Sequence, residues 1–356
     1  MTETYPEIKT FYEDKRMIDA LGKFGLEIGS DDRHRFWLNP FGTKTGRNNP
    51  STATLWGLPH TMRSFMKPGL GLALAQVDYG NQEIGIAAAL SGDPVAVADY
   101  CSGDPYRKFA AAALGITNPT SLQRQVYKAC VLGRIYGMGA DTLARNLGIS
   151  RAQAQAILDQ MRARYPVMNA WLERIQVKAA HIIPITCTLG WSLTASGRPG
   201  EECCFRNFLM QSNGAELMRL VFARAGDLPI IGCAHDSFLL EDRSDRIEQT
   251  VREMQEVMRA ASRDLLGGFE LRADCDPDKD IVHYPDRFID KRECEDGMRH
   301  WNWLMRLIEE AENDDIRRHE SGRLGDLGRD AGNLAEKPTG LATEARTEAA
   351  QAEVRV

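Results

Sequence analysis

The sequence predicts an α+β fold, in which short strands and long helices are mixed along the chain. Short apolar runs bounded by turn residues predict strands at 70–77, 228–240 and 269–275. Longer amphipathic segments lie between them, and the order lacks the regular alternation of a doubly wound sheet. With 356 residues, of which 43% are apolar and 26% charged, the chain can bury a sizeable core in one or two domains.

The helices and loops follow from local patterns taken in chain order. Residues 11–26 form a short amphipathic stretch, and residues 41–50 form a loop because they are rich in Gly, Asn and Pro. The apolar run at 70–77 predicts a buried strand that ends at Asp78. Apolar residues at helical spacing predict helices at 83–90, 121–138, 141–161, 166–178, 205–222 and 246–266.

The second half of the chain adds β structure and two C-terminal segments. Residues 182–194 have β character, and two apolar runs within 228–240 predict a hairpin with Asp236 at its tip. Residues 290–311 carry apolar side chains on one helical face, which predicts a last helix. Residues 312–356 lack aromatics and repeat Gly, so this tail is predicted to be disordered.

Composition narrows the classes of function. The net charge of −6 weighs against nucleic-acid binding, although a local basic groove is compatible with it. Apolar runs stay below the ~18 residues that cross a bilayer, so no membrane partner is expected. The first residues do not resemble a secretory signal, and the eight cysteines contain no CxxC pair. These features predict a cytoplasmic protein with free thiols.

Two aspartates stand out because each follows a buried apolar run. Asp78 comes at the end of the strand at 70–77, and Asp236 follows His235 in the predicted hairpin. A carboxylate in such a place is costly unless it is paired or binds a metal. Two of them on neighbouring strands can bind a pair of Mg²⁺ ions for phosphoryl transfer. The alternative is that each caps a strand or a turn.

A basic helical face provides a third feature. Arg124, Lys128, Leu132 and Tyr136 follow one another at intervals of four, so they share one broad face. A basic pair followed by a ring can bind a triphosphate and stack near a base. A solvated surface is the alternative for such a pair.

Taken together, these residues resemble motifs A, B and C of family-A DNA polymerases, in the order of that family. The segments that carry the resemblance are Thr45-Gly46-Arg47, Asp78-Tyr79-Gly80-Asn81-Gln82-Glu83, Arg124-x3-Lys128-x7-Tyr136-Gly137, Asn207-x3-Gln211 and His235-Asp236-Ser237. The resemblance extends over residues 43–280. It implies a right-hand polymerase palm, with an antiparallel sheet and helices, and helical fingers.

The resemblance also implies a role for each matched residue at the reacting centre. Asp78 and Asp236, with the backbone carbonyl of Tyr79, bind two Mg²⁺ ions, for which Mn²⁺ can substitute. Arg124 and Lys128 bind the phosphates of the incoming nucleotide. Lys128 is also expected to donate a proton to the leaving pyrophosphate.

Other matched residues are expected around the sugar, the base and the DNA. Tyr136 closes over the nascent base pair, and Glu83 excludes a 2′-hydroxyl as a steric gate. Tyr79 and Tyr106 complete the nucleotide site. The residues expected to contact the primer terminus or the minor groove are Arg47, Asn207, Gln211 and His235. The implied reaction is template-directed addition of dNTPs to a primer 3′-hydroxyl, with primer-template DNA as the partner.

Several positions depart from the family pattern. Ser237 replaces the usual Glu of motif C, and Leu132 replaces an aromatic found in many members. Tyr106 stands where a phosphate-contacting His is common, and Gly85 and Cys203 stand where Arg is usual. Fewer cations weaken triphosphate binding, so a slow or binding-only descendant is the main alternative: a polymerase-like module for primer-template or a replication partner.

The resemblance divides the chain into five parts. They are an N-terminal segment (1–42), the palm with motif A (43–100), the fingers (101–180), the palm with motif C and a C-terminal helix (181–311), and the tail (312–356). Little sequence precedes the Thr45-Gly46-Arg47 loop, so we expect no proofreading exonuclease and a reduced or missing thumb. Alternatively, the sequence is the C-terminal part of a split or truncated polymerase, or a replication or processivity partner replaces the thumb. These features suggest a phage-like enzyme, in the cytoplasm of a bacterial or phage-infected cell.

A helix-turn-helix regulator is the remaining alternative. Residues 143–154 show a Leu-Ala…Leu-Gly-Ile-Ser pattern that is typical of such a motif. A helix, a Gly turn and a second helix also form ordinary packed hairpins, and the same residues match the fingers of the polymerase family.

Overall fold

A computed structural model describes residues 15, 27–50, 54, 60–198, 200–289, 305, 306, 309, 310 and 313. Apart from a few single residues, the stretch predicted at 11–26, the helix predicted at 290–311 and the tail lie outside the described residues. The described part combines an antiparallel sheet with helices, and the predicted α+β class is confirmed.

The strands are β1 (Leu38–Asn39), β2 (Asn49–Pro50), β3 (Leu72–Tyr79), β4 (Ile185–Thr186), β5 (Ser192–Leu193), β6 (Ile230–Ala234), β7 (Ser237–Arg243), β8 (Ala273–Asp274) and β9 (Ile281–His283). The main sheet has the order β6-β7-β3-β8, and β9 also pairs with β3. All of these pairings are antiparallel. Strands β1 and β2, and strands β4 and β5, form separate two-stranded pairs.

The helices are α1 (Gln82–Ser91), α2 (Pro94–Cys101), α3 (Pro105–Leu114), α4 (Ser121–Ile135), α5 (Ala140–Leu147), α6 (Arg151–Arg164), α7 (Pro166–Ala180), α8 (Phe205–Arg224), α9 (Ile247–Leu265) and α10 (Pro277–Asp280). Short 3-10 turns lie at His60–Phe65 and Glu201–Cys204. None of the described helices combines the length and the hydropathy that crossing a bilayer requires.

The sequence of β3 reflects its central place in the sheet. Its five residues at 73–77 are all buried, so the strand has no solvent face and its sequence is a continuous rather than an alternating apolar run. Strands β7, β8 and β9 pair with it, and α9 packs against it. This packing leaves only the end of β3, at Asp78 and Tyr79, next to a cavity.

The structure corrects the predicted elements at several boundaries. Asp78 is the penultimate residue of β3 rather than the residue after it. The helix predicted at 141–161 is two helices, because Gly148 ends α5 in the left-handed conformation. The strand predicted at 269–275 pairs only at Ala273–Asp274.

Besides the four-residue α10, two helices were missed by the sequence prediction, although each begins with a recognisable signal. Helix α2 begins at Pro94, directly after Asp93, and α3 begins at Pro105, directly after Asp104. The aspartate accepts backbone N–H groups of the first turn, and the proline supplies a helical φ at the first position. Both segments are short and lie between stronger patterns, which is why periodicity alone missed them.

Helices α4, α5 and α6 share a small hydrophobic core formed by Cys130, Ala140, Leu143, Ala144, Ala154 and Leu158. Residues 143–154, which mimic a helix-turn-helix, form most of α5 and the first turn of α6 and pack in this way. Their apolar positions are thus explained by packing within the helical layer.

A largely buried carboxylate joins α2 to the junction of α6 and α7. Asp99 accepts two hydrogen bonds of 2.8 Å from the Arg164 guanidinium and one of 2.7 Å from the Tyr165 hydroxyl. Near the start of the same helix, Asp93 accepts the Met168 backbone N–H at 3.0 Å. These bonds hold α6 and α7 against α2.

We predict that Asp99→Ala lowers the free energy of unfolding by about 2–4 kcal/mol, because it leaves Arg164 and Tyr165 without their shared acceptor. Urea unfolding followed by circular dichroism measures this loss. The matched control is Asp159→Ala, which removes an exposed pair with Arg162 and is expected to cost less than about 1 kcal/mol. Equal losses for the two variants would contradict the prediction.

Candidate active site

The register of two strands brings the two predicted aspartates to one end of the sheet. Asp78 on β3 lies opposite Ser237 on β7, and the Tyr79 N–H donates to the carbonyl oxygen of Asp236 at 3.1 Å. Asp236 therefore lies beside the end of β3. The hairpin turns at His235, whose φ of +54° is unusual for a residue other than Gly. Such a strained residue at a strand end is typical of functional sites.

A cavity of about 860 Å³ opens at this end of the sheet. Its walls come from the sheet, from the start of α1 and from α4 across the opening. The predicted site residues that line it are Arg47, Asp78, Tyr79, Glu83, Tyr106, Arg124, Lys128, His235 and Asp236. The structure thus brings acids at the end of the sheet and cations on a helix to one cavity.

The cations of α4 are held on an aromatic platform. A capping box between Thr120 and Gln123 begins the helix just before Arg124. The Arg124 guanidinium carbon and the Lys128 ammonium nitrogen each lie 5.6 Å from the centroid of the Tyr106 ring. Cation–π contacts of this kind hold both cations at the cavity wall.

Tyr106 and Asp104 set the electrostatics beneath these cations. Tyr106 is 1% exposed, and its burial, with Glu83 nearby, raises the pKa of its hydroxyl far above the usual range. Asp104 accepts the Arg124 Nε–H at 2.5 Å. Burial raises the pKa of Asp104, but the bond from Arg124 and the N–H of Arg107 outweigh it and leave the pKa lowered. Asp104 stays ionised and holds Arg124 in place.

Glu83 connects the sheet side of the cavity to the end of α4. The Tyr136 hydroxyl donates to Glu83 Oε2 at 2.5 Å. Burial, followed by the Glu83 carboxylate, raises the pKa of Tyr136, while Arg47 lowers it. Tyr136 is the C-terminal cap of α4 rather than part of its last turn. The bond therefore ties the position where α4 ends to the first turn of α1.

Arg47 lies in a loop that aromatic and basic side chains hold in place. The Phe41 ring stacks on Trp191 at 5.0 Å, and Trp191 Nε1–H donates to the Lys44 carbonyl at 3.0 Å. Arg219 from α8 lies over the Phe41 ring at 3.9 Å and donates to the Gly46 carbonyl. Gly46 adopts φ +74°, a conformation that favours Gly, so the chain can turn sharply before Arg47.

The remaining predicted DNA contacts divide between two places. Asn207 and Gln211 lie one turn apart on α8, both partly exposed, and neither is among the residues that line the cavity. Arg47 and His235 line both this cavity and a smaller apolar cavity of about 260 Å³. Cys233 lies in the smaller cavity, and burial raises the pKa of its thiol to about 11, so it is not an activated thiol.

The donor set is suited to Mg²⁺, which takes one or two carboxylates together with substrate phosphates. Asp78 near the end of β3 and Asp236 in the turn before β7 supply two carboxylates, and Asp274 on β8 lies directly opposite Asp78. Like charges opposed across a sheet repel, which favours a cation nearby. Among the described residues, no group of three or more His, Cys, Asp or Glu side chains is arranged to hold one ion. The fit of this site to Mg²⁺ therefore depends on two carboxylates and on ligands from the substrate.

Some cavity residues were missed by the sequence analysis. Arg272 and Asp274 line the wall beside β3, and Asp104 lies next to Arg124. The alternation in Leu271-Arg272-Ala273-Asp274 puts the two charged residues on one face of a strand, a signal that the sequence does contain. That this face meets the end of β3 is decided by strand pairing.

Comparisons with known proteins agree with the motifs. The family model of DNA polymerase family A matches residues 15–273. DNA polymerase I of Pseudomonas aeruginosa is 29% identical over 61% of this chain, and DNA polymerase I of Thermus aquaticus is 26% identical over 62%. The chain spans 27% and 29% of the lengths of these relatives.

A phage protein and a solved structure are also similar. The DNA polymerase of Mycobacterium phage D29 is 31% identical over 42% of this chain and 26% of its own length. The POL domain of Pol1 from M. smegmatis, solved with DNA primer-template and dNTP, superposes with a TM-score of 0.63. It is 23% identical, covering 70% of this chain and 48% of its own, so it supports the fold alone. Because the family model matches well over half of the residues, the chain belongs to DNA polymerase family A.

Proposed function

We propose that this chain is a template-directed DNA polymerase that adds dNTPs to the 3′-hydroxyl of a primer. The observation that carries the proposal is the cavity that Asp78 and Asp236, at the end of the sheet, line together with Arg124 and Lys128 from α4. Acids that bind divalent ions, opposite cations that bind phosphates, are the parts that phosphoryl transfer requires. Membership of the polymerase family adds support.

Asp78 and Asp236, with the backbone carbonyl of Tyr79, are proposed to hold two Mg²⁺ ions, for which Mn²⁺ can substitute. Bound Mg²⁺ neutralises charge on the attacking and leaving oxygens of an in-line displacement. The chain contributes the fixed spacing of the two carboxylates, which the β3–β7 pairing sets. Ser237, in the place of a usual Glu, donates its hydroxyl to the Ala234 carbonyl at 3.0 Å and so stabilises the hairpin instead.

Arg124 and Lys128 are proposed to bind the phosphates of the incoming nucleotide. Both already lie on the Tyr106 ring, so little side-chain entropy is lost when the phosphates arrive. Tyr106 thus acts by positioning cations, where the family commonly has a His that contacts phosphate. Lys128 is the proposed donor of a proton to the leaving pyrophosphate.

Two residues that join α1 to α4, Glu83 and Tyr136, are proposed to contact the sugar and the base of the incoming nucleotide. Glu83, fixed by the Tyr136 hydroxyl, is proposed to lie under the sugar and exclude a 2′-hydroxyl. Tyr136 is proposed to stack near the nascent base pair. A rigid gate discriminates better than a mobile one, and the short bond between the two side chains restrains the gate.

Primer-template DNA is proposed to contact Arg47, Asn207, Gln211 and His235. The clamp of Phe41 and Trp191 orders the loop that carries Arg47 before DNA arrives. We assign the palm to 43–100 and 181–311 and the fingers to 101–180, with a processivity partner as a further proposal. A cytoplasmic location in a bacterial or phage-infected cell remains a prediction.

We predict that Asp78→Asn and Asp236→Asn each lower the rate of primer extension by about 1,000-fold or more, because a metal-binding carboxylate is lost. Extension of a labelled primer with Mg²⁺ and dNTPs measures the rate. Asp159→Asn, an exposed change on α6, is the matched control and should extend at the wild-type rate. Extension that survives either active-site change would refute the two-ion mechanism. Wild-type binding of primer-template without any extension would instead support the binding-module alternative.

We predict that Glu83→Ala reduces discrimination against ribonucleotides by about tenfold to hundredfold, because it removes the group beneath the sugar. Tyr136→Phe keeps the gate and removes only its hydrogen bond, so most of the discrimination should remain. Single-turnover incorporation of dNTPs and rNTPs gives both ratios. An unchanged ratio in Glu83→Ala would remove the steric-gate assignment.

We also propose that this chain has no proofreading activity, since all of the site residues that we assign within the described part of the chain belong to the polymerase site. A 5′-labelled primer with a 3′ mismatch, incubated with Mg²⁺ and no dNTPs, should keep its length. A proofreading polymerase incubated in parallel serves as the positive control. Shortening of the primer that Asp78→Asn leaves unaffected would show a separate nuclease and overturn this part of the proposal.

A further inference from the structure

Arg272 also lines the cavity, and it comes from the sheet side rather than from α4. It directly precedes β8, which pairs with the end of β3. Both polar groups of its backbone are fixed: its carbonyl accepts the Gly80 N–H at 2.9 Å, and its N–H donates to the Tyr100 hydroxyl at 3.0 Å. The Arg272 side chain therefore starts from a rigid position beside the metal-binding strand ends.

The Arg272 guanidinium has N–H donors that its contacts within the protein do not use. Its carbon lies 5.6 Å from the centroid of the Tyr100 ring, and Nη2 lies 3.7 Å from Asp274 Oδ2. Its Nε is buried and has no hydrogen-bond partner within the described part of the chain. The Arg272 and Asp274 side chains are 34% and 56% exposed, and an ion pair this long and this exposed is weak. The exposed third of the side chain thus leaves guanidinium donors for a ligand, besides those that contact Tyr100 and Asp274.

Glycine at positions 80 and 103 lets the Arg272 guanidinium approach the backbone beside the cavity. A Cβ at Gly80 would lie 2.9 Å from Arg272 Nη2, and a Cβ at Gly103 would lie 3.6 Å from Nη1. Gly103 is followed by Asp104, whose carboxylate binds Arg124. The short segment at 103–104 therefore lies between the guanidinium groups of Arg272 and Arg124, and both of these residues line the same cavity.

The packing around Gly85 explains why a cation comes from this wall. The family pattern places Arg at this position, but here a Cβ would lie 2.4 Å from Leu271 and 2.7 Å from the Tyr100 ring. The ring occupies that space and serves as the platform for Arg272. Burial raises the pKa of Tyr100 to about 12, so its hydroxyl stays protonated and donates to the Gly80 carbonyl at 2.9 Å. The absence of a side chain at Gly85 thus leaves room for the Tyr100 ring, which supports the Arg272 guanidinium.

We propose that Arg272 binds the polyphosphate of the incoming nucleotide, and the pyrophosphate that leaves, as a third phosphate-binding cation beside Arg124 and Lys128. The proposal rests on the proposed function and extends it. Asp104 partly neutralises Arg124, so a further positive group beside it strengthens the binding of a polyphosphate. A planar guanidinium with free donors suits phosphate oxygens and forms bidentate, charge-assisted bonds.

The test uses the full chain bound to primer-template and compares wild type, Arg272→Ala and Arg272→Lys. Single-turnover extension gives the apparent dissociation constant for dNTP, and calorimetric titration with inorganic tripolyphosphate, and separately with pyrophosphate, gives binding without catalysis. Arg272→Ala should weaken dNTP and tripolyphosphate about tenfold, the worth of one charge-assisted contact, with pyrophosphate weakened as well. Arg272→Lys should recover part of the loss. Affinity for primer-template should not change.

Arg259→Ala is the matched control, since Arg259 is similarly exposed but lies on α9 and pairs with Glu256. Unchanged dNTP and tripolyphosphate binding in Arg272→Ala, with binding weakened by Arg124→Ala, would overturn the inference and leave the proposed function standing. A wild-type chain that neither extends primers nor binds tripolyphosphate would overturn both. If Arg272→Ala does not fold, Arg272→Lys decides: wild-type dNTP and tripolyphosphate affinities refute the assignment, and an intermediate loss supports it.

Discussion

The pairing of β3 with β7 is the constraint on which the candidate active site depends. This register places Asp78 opposite Ser237 and next to Asp236. Because side chains alternate between the faces of a strand, a slip of one residue would turn Asp78 to the opposite face of the sheet. Residues 73–77 are packed on both faces of the sheet, and a slip would exchange the side chains packed on each face, so this packing also sets where Asp78 lies relative to Asp236.

Charged and polar groups at the cavity are held by contacts of modest individual strength. Asp104 fixes Arg124, the Tyr106 ring supports Arg124 and Lys128, and Tyr136 fixes Glu83. Each contact orders a side chain before substrate arrives, which lowers the entropy lost on binding. The buried bonds of Asp99 do the same for whole helices, because they hold α6 and α7 against α2.

Departures from the family pattern are accommodated by local packing. At position 85 the lost side chain leaves room for Tyr100, and at position 106 a buried ring replaces a polar contact with a support for cations. At position 237 a hydroxyl bonded to the hairpin takes the place of a carboxylate. In each case the residue present is explained by a contact that the chain makes with itself.

The sequence by itself determined the fold class, the family and the identity of the motif residues, because hydrophobic periodicity and local spacing are properties of neighbouring residues. It also contained signals that were missed, such as the Asp-Pro starts of α2 and α3. Only the tertiary structure decided that Arg272 and Asp274 join the cavity, that Asp104 binds Arg124 and that Trp191 and Arg219 hold the loop before Arg47. These contacts join residues far apart in sequence. Their geometry follows from strand register and helix packing, which local patterns do not specify.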